Sequence, residues 1–131
     1  MTKKNSQELE SRADRLADAL KILQNKMELI KKEGEIAPPG CCILRYQARG
    51  KAQTYWYYKL QATEKIFPTK SGELSKYKHL GVAGSPAHVE AVMQMSRRTQ
   101  LDALSRSFDS LIDSWSDVYG SNKKEPPLNS R

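Results

Sequence analysis

The stretch Thr54–Gln61 (TYWYYKLQ) carries side chains whose types and spacing suit binding chemistry. Tyr55, Tyr57 and Lys59 occupy alternate positions, and alternate side chains of a β-strand share one face of a sheet. Tyrosine rings can stack on exposed bases or contact sugars, and lysine can neutralise phosphates. The stretch therefore predicts a binding surface of mixed rings and cations.

The sequence contains none of the short motifs on which common enzyme classes rely. It has no glycine-rich phosphate loop, no His-Glu-x-x-His, no Gly-x-Ser-x-Gly and no Cys-x-x-Cys. The acids of the C-terminal segment recur at spacings that predict one solvated helix stripe, which does not bring two carboxylates together in a cleft. We expect a protein without catalytic activity and without a cofactor.

Four residues carry the thiol or imidazole groups that zinc prefers: Cys41, Cys42, His79 and His88. Zinc half-sites use ligands about two to four residues apart. The two cysteines are adjacent, so they would point to opposite faces of a strand, and a loop separates the two histidines. We expect no metal site, and we expect both cysteines to be reduced thiols.

Positive charge concentrates in the middle of the chain. The formal net charge is +7, and residues 35–82 contribute eight lysines and arginines against three acids. Residues 83–119 have the opposite balance, with three cations against five acids. A basic surface concentrates polyanions, so the charge and the Tyr–Lys alternation indicate the same region. A soluble basic surface without a polyanion partner is the alternative.

Residues 6–33 predict a long helix with a heptad repeat, capped by Asn5 or Ser6 and ended by Gly34. In a parallel homodimer Lys26 would face Lys31 of the partner, which is repulsive. Two arrangements stay open, namely antiparallel self-association and packing against the C-terminal helix of the same chain. The seam residues expected to mediate oligomerisation are Leu9, Leu16, Leu20, Leu23, Met27 and Ile30.

Residues 35–40 (EIAPPG), which contain two prolines and a glycine, end the helical pattern and separate the N-terminal helix from a sheet. Alternating residues after them predict antiparallel strands, the first two joined by a short hairpin connection at Gly50. The predicted strands are 42–48, 53–61, 65–68 and 75–80.

Ser85 and Pro86 predict the start of a second long helix, as N-cap and first helical residue. Its apolar pattern lapses between Met95 and Gln100, where we expect a bend, a phase shift or a change of packing partner. The chain is thus predicted to be an α+β protein with a long N-terminal helix, a three- to four-stranded antiparallel sheet and a long C-terminal helix. The expected regions are a heptad helix at 1–34, the basic sheet with the C-terminal helix at 41–119 and a disordered tail at 120–131.

The face of the sheet that carries Trp56 is expected to be buried by the C-terminal helix. The opposite face then stays open unless the N-terminal helix covers it, and cations at the hairpin tip extend it. The residues predicted to bind nucleic acid are Arg45, Gln47, Arg49, Lys51, Tyr55, Tyr57, Lys59, Lys76 and Lys78.

Three segments carry a resemblance to known families: residues 55–58 (YWYY), 76–81 (KYKHLG) and 85–92 (SPAHVEAV). Their order resembles the arm-type DNA-binding domains of phage-type tyrosine recombinases, whose layout plant ethylene-response-type domains share. In that family the sheet enters the major groove and the helix supports its back. The Tyr-Tyr-containing hairpin also resembles small uncharacterised proteins encoded by bacterial mobile elements, although their cysteine-rich pattern is not kept.

The sequence predicts a non-enzymatic DNA-binding protein with duplex DNA as the favoured ligand, acting as a regulator or as a mobile-element accessory factor. The alternative is an interaction adaptor of the coiled-coil type, in which the heptad helices bind a protein partner and the sheet is structural. The expected partners are DNA and either a second copy, forming a dimer, or a helical protein. The N-terminus lacks the apolar core of a signal peptide and the chain has no run of the roughly 20 apolar residues that span a bilayer, so we expect a cytoplasmic (nucleoid) protein with no membrane partner.

Overall fold

The computed structural model of the protein describes residues 3–120 and 125–128. Within them, two long helices precede and follow a set of short antiparallel strands. The elements are α1 (Lys3–Glu33), β1 (Cys42–Arg49), β2 (Thr54–Gln61), β3 (Phe67–Pro68), β4 (Leu74–Ser75), β5 (Tyr77–Val82) and α2 (Pro86–Tyr119). This order confirms the predicted α+β fold class.

Helix α1 is long because no proline or glycine interrupts the sequence before Gly34. It already includes Asn5 and Ser6 in its first turns, so the prediction that one of them caps the helix is wrong. Lys31 and Lys32 lie in the last turn, where cations interact favourably with the helix dipole.

Strand β2 is the centre of a three-stranded antiparallel sheet with the order β1-β2-β5. The register of β1 and β2 places Tyr46 opposite Tyr57 and Arg49 opposite Thr54. Gly50 closes the connection between them, because its N–H donates a hydrogen bond of 2.9 Å to the carbonyl of Gln53. The two predicted strands of this hairpin are confirmed to within one residue at each end.

The last predicted strand, 75–80, is divided between two elements. β4 pairs with β3 in a separate two-stranded ladder, and β5 pairs with β2. The β3–β4 connection is a tight turn in which Thr69 N–H donates to the Glu73 carbonyl at 2.9 Å. Gly72 supplies the positive φ of 86° that this turn needs.

The chain forms two compact units, and the division falls within α2. The helical unit comprises Met1–Glu33 and Gln100–Arg131, and the sheet unit comprises Gly34–Thr99. This division differs from the regions expected from the sequence, which kept the C-terminal helix whole beside the sheet. The lapse in the α2 pattern between Met95 and Gln100 coincides with the division and marks a change of packing partner, while α2 itself is continuous.

The helical unit is an antiparallel pair of helices, α1 and the C-terminal part of α2. Leu20 packs with Phe108, and Ala13 and Ala17 pack with Trp115. Leu20 and Phe108 are 0% and 1% exposed, respectively. Burial of such side chains stabilises the pair by roughly 1.5–3 kcal/mol each.

The seam residues predicted for oligomerisation therefore lie in or beside an intrachain core. Leu20, Met27 and Ile30 are buried, while Leu9, Leu16 and Leu23 are half-buried. Packing of this seam on the C-terminal helix of the same chain, one of the two arrangements left open by the sequence, is the arrangement in the structure. The predicted self-association through this helix stays a prediction.

The sheet unit has a core of mostly small side chains from the strands and the first turns of α2. The buried members are Cys41, Leu60, Ala62, Leu80 and Ala91. The helix that covers them begins as predicted. The Ser85 hydroxyl accepts a hydrogen bond of 3.2 Å from His88 N–H and donates one of 2.7 Å to the Leu80 carbonyl, so it joins the helix start to β5.

The C-terminal tail was predicted to be disordered over 120–131, and 121–124 and 129–131 lie outside the described residues. Residues 125–128 have irregular backbone, and Leu128 packs against the core that contains Phe108. Neither of the described helices contains an apolar stretch long enough to cross a membrane.

Candidate nucleic-acid interface

One face of the sheet collects four tyrosines around a single lysine. We call it the tyrosine face, and its members are Tyr46, Tyr55, Tyr57, Lys59, Tyr77 and His79. The strand pairing brings them together, because directly opposed residues of an antiparallel ladder share a face. Tyr46 opposes Tyr57 in β1–β2, and Lys59 opposes His79 in β2–β5.

The rings of the tyrosine face contact one another. Tyr46 and Tyr57 are stacked with their centroids 5.9 Å apart, and Tyr55 meets Tyr57 edge-on at 6.5 Å. The Tyr46 hydroxyl lies 3.3 Å from Nδ1 of His79. Such aromatic pairs hold one another in place across the strands, so the rings form an ordered layer rather than independent side chains.

Lys59 lies at the centre of this layer. Its Nζ is 4.3 Å from the centroid of the Tyr77 ring and 5.1 Å from that of the Tyr46 ring. These are cation–π distances, so the ammonium group is held among rings while its residue remains half-buried. Tyr55 and Tyr77 are 38% and 39% exposed at the border of the face. The surface thus presents aromatic area with one fixed positive charge.

Arg45 and Gln47 do not belong to this face, and the prediction that they share it with Tyr55 and Tyr57 is wrong. Arg45 opposes Tyr58, and Gln47 opposes Trp56, so both lie on the other side of the sheet. The physical reason is the hairpin register, since a shift by one residue moves every side chain of a strand to the opposite face.

The face that carries Trp56 was predicted to be buried. The prediction is correct for the end of β2 that contains Leu60 and wrong for the end that contains Trp56. Leu60 is in the core, and Tyr58 is stacked on His88 of α2 with the centroids 3.8 Å apart. Trp56 itself is 40% exposed. Its ring is covered instead by the guanidinium of Arg45, whose Cζ lies 3.5 Å from the ring centroid.

The hairpin end of the sheet is open on both faces. β2 pairs with β5 only from Tyr57 onward, so Thr54–Trp56 continue as a two-stranded ribbon with β1. On one side of this ribbon lies Tyr55, and on the other lies Trp56 with Arg45. The ribbon is the part of the sheet that a ligand can reach from two sides.

The other predicted cations lie around the sheet rather than on the tyrosine face. Arg49 is the last residue of β1, and Lys51 is in the hairpin connection. Lys78 opposes Leu60 and is exposed on the side of Trp56, while Lys76 lies between β4 and β5. Of the nine predicted binding residues, the structure brings Tyr55, Tyr57 and Lys59 together on one face.

The sequence interpretation missed three members of the tyrosine face: Tyr46, Tyr77 and His79. The alternation within each strand was visible, but the relation between strands was not. A hairpin that pairs Arg49 with Thr54 puts Tyr46 beside Tyr57, so the length of the connection was the signal that could have found it.

The residues considered as metal ligands are dispersed. Cys41 is buried in the core of the sheet unit, His79 lies on the tyrosine face, and Nδ1 of His88 accepts a hydrogen bond of 3.0 Å from Gly84 N–H. The part of the chain that the structure describes contains no group of three or more His, Cys, Asp or Glu that could hold a metal ion. Burial, reinforced by the neighbouring Cys42 and opposed by Arg98, raises the pKa of the Cys41 thiol.

Comparison with known proteins found no matching family model, no matching curated protein and no matching solved structure, so the functional argument for this chain rests on the geometry of its sheet.

Proposed function

We propose that the protein is a non-enzymatic DNA-binding protein that binds through its three-stranded sheet, with duplex DNA as the favoured ligand. The hairpin end enters the major groove, and the cations around the sheet contact phosphates. A role as a cytoplasmic or nucleoid regulator, or as a mobile-element accessory factor, is the biological setting of the proposal. The resemblance to arm-type domains, where a three-stranded sheet enters the groove, supports the same mode.

The charge of the strands supports a polyanionic ligand. Cys42–Arg49, Thr54–Gln61 and Tyr77–Val82 together contain four cations and no acid. The cations are Arg45, Arg49, Lys59 and Lys78. Phosphate contacts are attractive for all of them, and no carboxylate on these strands opposes the approach of a phosphate backbone.

The observation that carries the proposal is the hairpin end with two open faces. The major groove of B-DNA admits a two-stranded β-ribbon, and Thr54–Trp56 with their β1 partners form such a ribbon beyond the edge of β5. Tyr55 and Trp56 supply apolar ring surface for thymine methyl groups and sugars on opposite sides. Arg49 and Lys51 supply cations at the tip.

The first test measures the affinity for a short fluorescent duplex by anisotropy across a series of salt concentrations. Phosphate-driven binding weakens steeply between about 50 and 200 mM salt, because each neutralised phosphate contributes about −0.9 to the slope of log K against log salt. An affinity that does not change with salt contradicts the proposal.

The second test removes two cations from the hairpin end with Arg49→Ala and Lys51→Ala. The matched control removes two exposed cations from α1 with Lys21→Ala and Lys32→Ala, which changes the net charge by the same amount. We expect the hairpin variant to lose affinity and to reduce the salt slope by roughly 1–2, while the control retains both. Equal losses in the two variants would show that only net charge matters.

The third test replaces Arg45, Lys59 and Lys78 together by alanine. These side chains lie on both faces of the sheet, so we expect the mobility shift of duplex DNA to disappear. Circular dichroism establishes that the variant is folded, and unchanged binding by a folded variant eliminates the sheet as the interface.

A second candidate function is that of a protein-interaction adaptor that uses the helical unit. The observation that favours it is the exposure of Ile22 and Leu29, which are 55% and 61% exposed on α1. Apolar surface of this kind marks association sites. Capture of a helical partner by these residues would be insensitive to salt, in contrast to phosphate-driven binding.

A further inference from the structure

One side of the helical unit has a groove between α1 and α2 that contains two hollows, and the lining positions of the two hollows repeat along both helices. A hollow of about 370 Å³ is lined by Arg12, Arg15 and Leu16 of α1. A second hollow of about 450 Å³ is lined by Lys26, Leu29 and Ile30, each fourteen residues further along α1. On α2, Ser114, Asp117 and Val118 of the first hollow correspond to Gln100, Ala103 and Leu104 of the second.

This spacing equals two heptads, which is the repeat with which one helix packs along another. Ala19, Ile22 and Leu23 occupy the intervening heptad positions on α1. On α1, apolar residues therefore fill the interval between the two hollows. We call the α1 side of this groove the stripe. Its residues are Arg12, Arg15, Leu16, Ala19, Ile22, Leu23, Lys26, Leu29, Ile30 and Glu33. At about 1.5 Å per residue, it is roughly 30 Å long, which is long enough for several turns of a packed helix.

The opposite side of the helical unit is different. It contains hollows with the same repeat, and the one near Ala13 and Trp115 is lined in addition by Glu125 and Pro127 of the tail. Leu128 packs on the core of the same unit. The tail thus covers part of that side. Within residues 3–120 and 125–128, the linings of the first two hollows come only from α1 and α2.

We infer that the groove binds a second copy of this chain, with α1 of one copy packed antiparallel against α1 of the other. The product is a symmetric four-helix arrangement, made from two helical pairs that each bury only part of their apolar surface. The inference shares its surface with the adaptor function and is independent of DNA binding.

The stripe on α1 is complementary to itself in this orientation. With the twofold axis between Ile22 and Leu23, Ile22 of one copy faces Leu23 of the second copy. Leu16 then faces Leu29 of the second copy. Both pairs are apolar, and the two most exposed apolar side chains of α1 are among them.

The charged residues at the two ends of the stripe are also complementary across the twofold axis. In the same register Arg12 faces Glu33 of the second copy, and the symmetry makes this pair twice. Arg12 and Glu33 both line the hollows that the second copy would cover. Arg15 faces Ile30 and Lys26 faces Ala19 of the second copy, so the α1 cations that line the hollows do not meet one another. In a parallel, in-register orientation each residue of the stripe would instead meet its own counterpart, so that Arg12 would face Arg12 and Lys26 would face Lys26 of the second copy. The antiparallel orientation is favoured because it avoids these like-charge contacts.

The test of the inference is the mass of the full chain in solution, measured by sedimentation equilibrium over a range of concentrations. The expected species has twice the chain mass of 14.9 kDa. Ile22→Glu with Leu29→Glu places charge in the centre of the groove and should produce the monomer. Ser11→Glu with Asn25→Glu adds the same charge at exposed positions of α1 that do not line the hollows, and this control should remain a dimer.

The orientation is tested by reversing charges at the ends of the stripe, which are exposed and do not enter the core. Arg12→Glu should weaken dimerisation roughly tenfold, because two attractive pairs become repulsive. Adding Glu33→Arg should restore the wild-type affinity. A monomeric wild-type chain at every concentration overturns the inference, and so does a dimer that the groove variant or the charge reversal leaves unchanged. DNA binding is assayed on the same samples, so a failure of one proposal is distinguishable from a failure of the other.

Discussion

The two units of this protein use their aromatic residues in opposite ways. Among the described residues, the buried aromatic side chains are Phe108 and Trp115, and both belong to the helical unit. The sheet unit holds seven of the ten aromatic residues of the chain, and all seven are half-buried or exposed. Its core is filled by small side chains such as Cys41, Ala62 and Ala91 instead.

This difference separates residues that hold the fold together from residues that are available to a ligand. A large ring contributes most to stability when it is fully buried. The helical unit uses Phe108 in this way, at 1% exposure. The sheet unit leaves the rings of Tyr55, Trp56 and Tyr77 about 40% exposed, so their contribution to stability is smaller and their surface remains available for binding.

Among the substitutions that test this difference between the units, the largest change in the free energy of unfolding is expected at Phe108. Phe108→Ala removes a fully buried ring and leaves a cavity, which costs about 3–5 kcal/mol of unfolding free energy. Tyr55→Ala removes an exposed ring and should cost less than about 1 kcal/mol, while weakening DNA binding. Urea denaturation measures both. The distinction between the units disappears if the two substitutions destabilise the protein equally.

A smaller effect is expected where a hydrogen bond joins α2 to β5. Ser85→Ala removes the hydroxyl that caps the helix and contacts the Leu80 carbonyl. We expect a loss of about 1–2 kcal/mol, and Ser85→Thr should retain most of it because the hydroxyl is kept. If alanine and threonine behave alike, the hydroxyl does not stabilise the start of the helix.

A substitution in the hairpin connection should move a ring of the tyrosine face and change the free energy of unfolding still less. A methyl group on Gly50 would collide with the Tyr55 ring, coming within 2.9 Å of its Cδ2 atom. Gly50→Ala should therefore displace the ring, lower DNA affinity severalfold and change the free energy of unfolding by about 1 kcal/mol or less. Gly84→Ala is the control for a destabilised backbone far from the hairpin. An added Cβ there meets no atom, but the φ of 78° strains an alanine, so this variant should lose stability and keep its DNA affinity. An unaltered affinity in Gly50→Ala would remove Tyr55 from the interface.

The reactivity of the two adjacent cysteines tests the burial of the sheet core without any substitution. Cys41 is buried and its thiol pKa is raised, while Cys42 is exposed. The thiolate is the reactive form, so burial and the raised pKa together keep the Cys41 thiol protonated and unreactive in the native protein. Mass spectrometry after brief alkylation should find Cys42 modified in the native protein and Cys41 modified only after denaturation. Equal labelling in the native state contradicts the burial of Cys41.

The helices could be predicted because their signals are local. The α1 seam, the end of α1 before Gly34 and the start of α2 at Ser85 and Pro86 all follow from neighbouring residues. The heptad pattern did not predict all of the α1 residues that are buried. Ala17 and Gln24 are buried one position away from the predicted seam, because the helical partner of the same chain approaches α1 from that side.

The tyrosine face was harder to predict, because which side chains it contains depends on the pairing of β1, β2 and β5. The alternation in β2 correctly grouped Tyr55, Tyr57 and Lys59, since side chains of one strand alternate whatever the strand pairs with. Arg45 and Gln47 were placed on the wrong face, because the relation between β1 and β2 depends on a register that differs by one residue between the two outcomes.

The two long helices, the strands of the first hairpin and the absence of acids from the three strands of the sheet follow from residues that are close together in the chain. The grouping of Tyr46, Tyr77 and His79 with Lys59 on one face, and the burial of the α1 seam within the chain, depend on the tertiary structure. The physical reason is the range of the interactions. Helix and strand periodicity arise from local backbone geometry, whereas strand register and helix partners arise from contacts between distant residues.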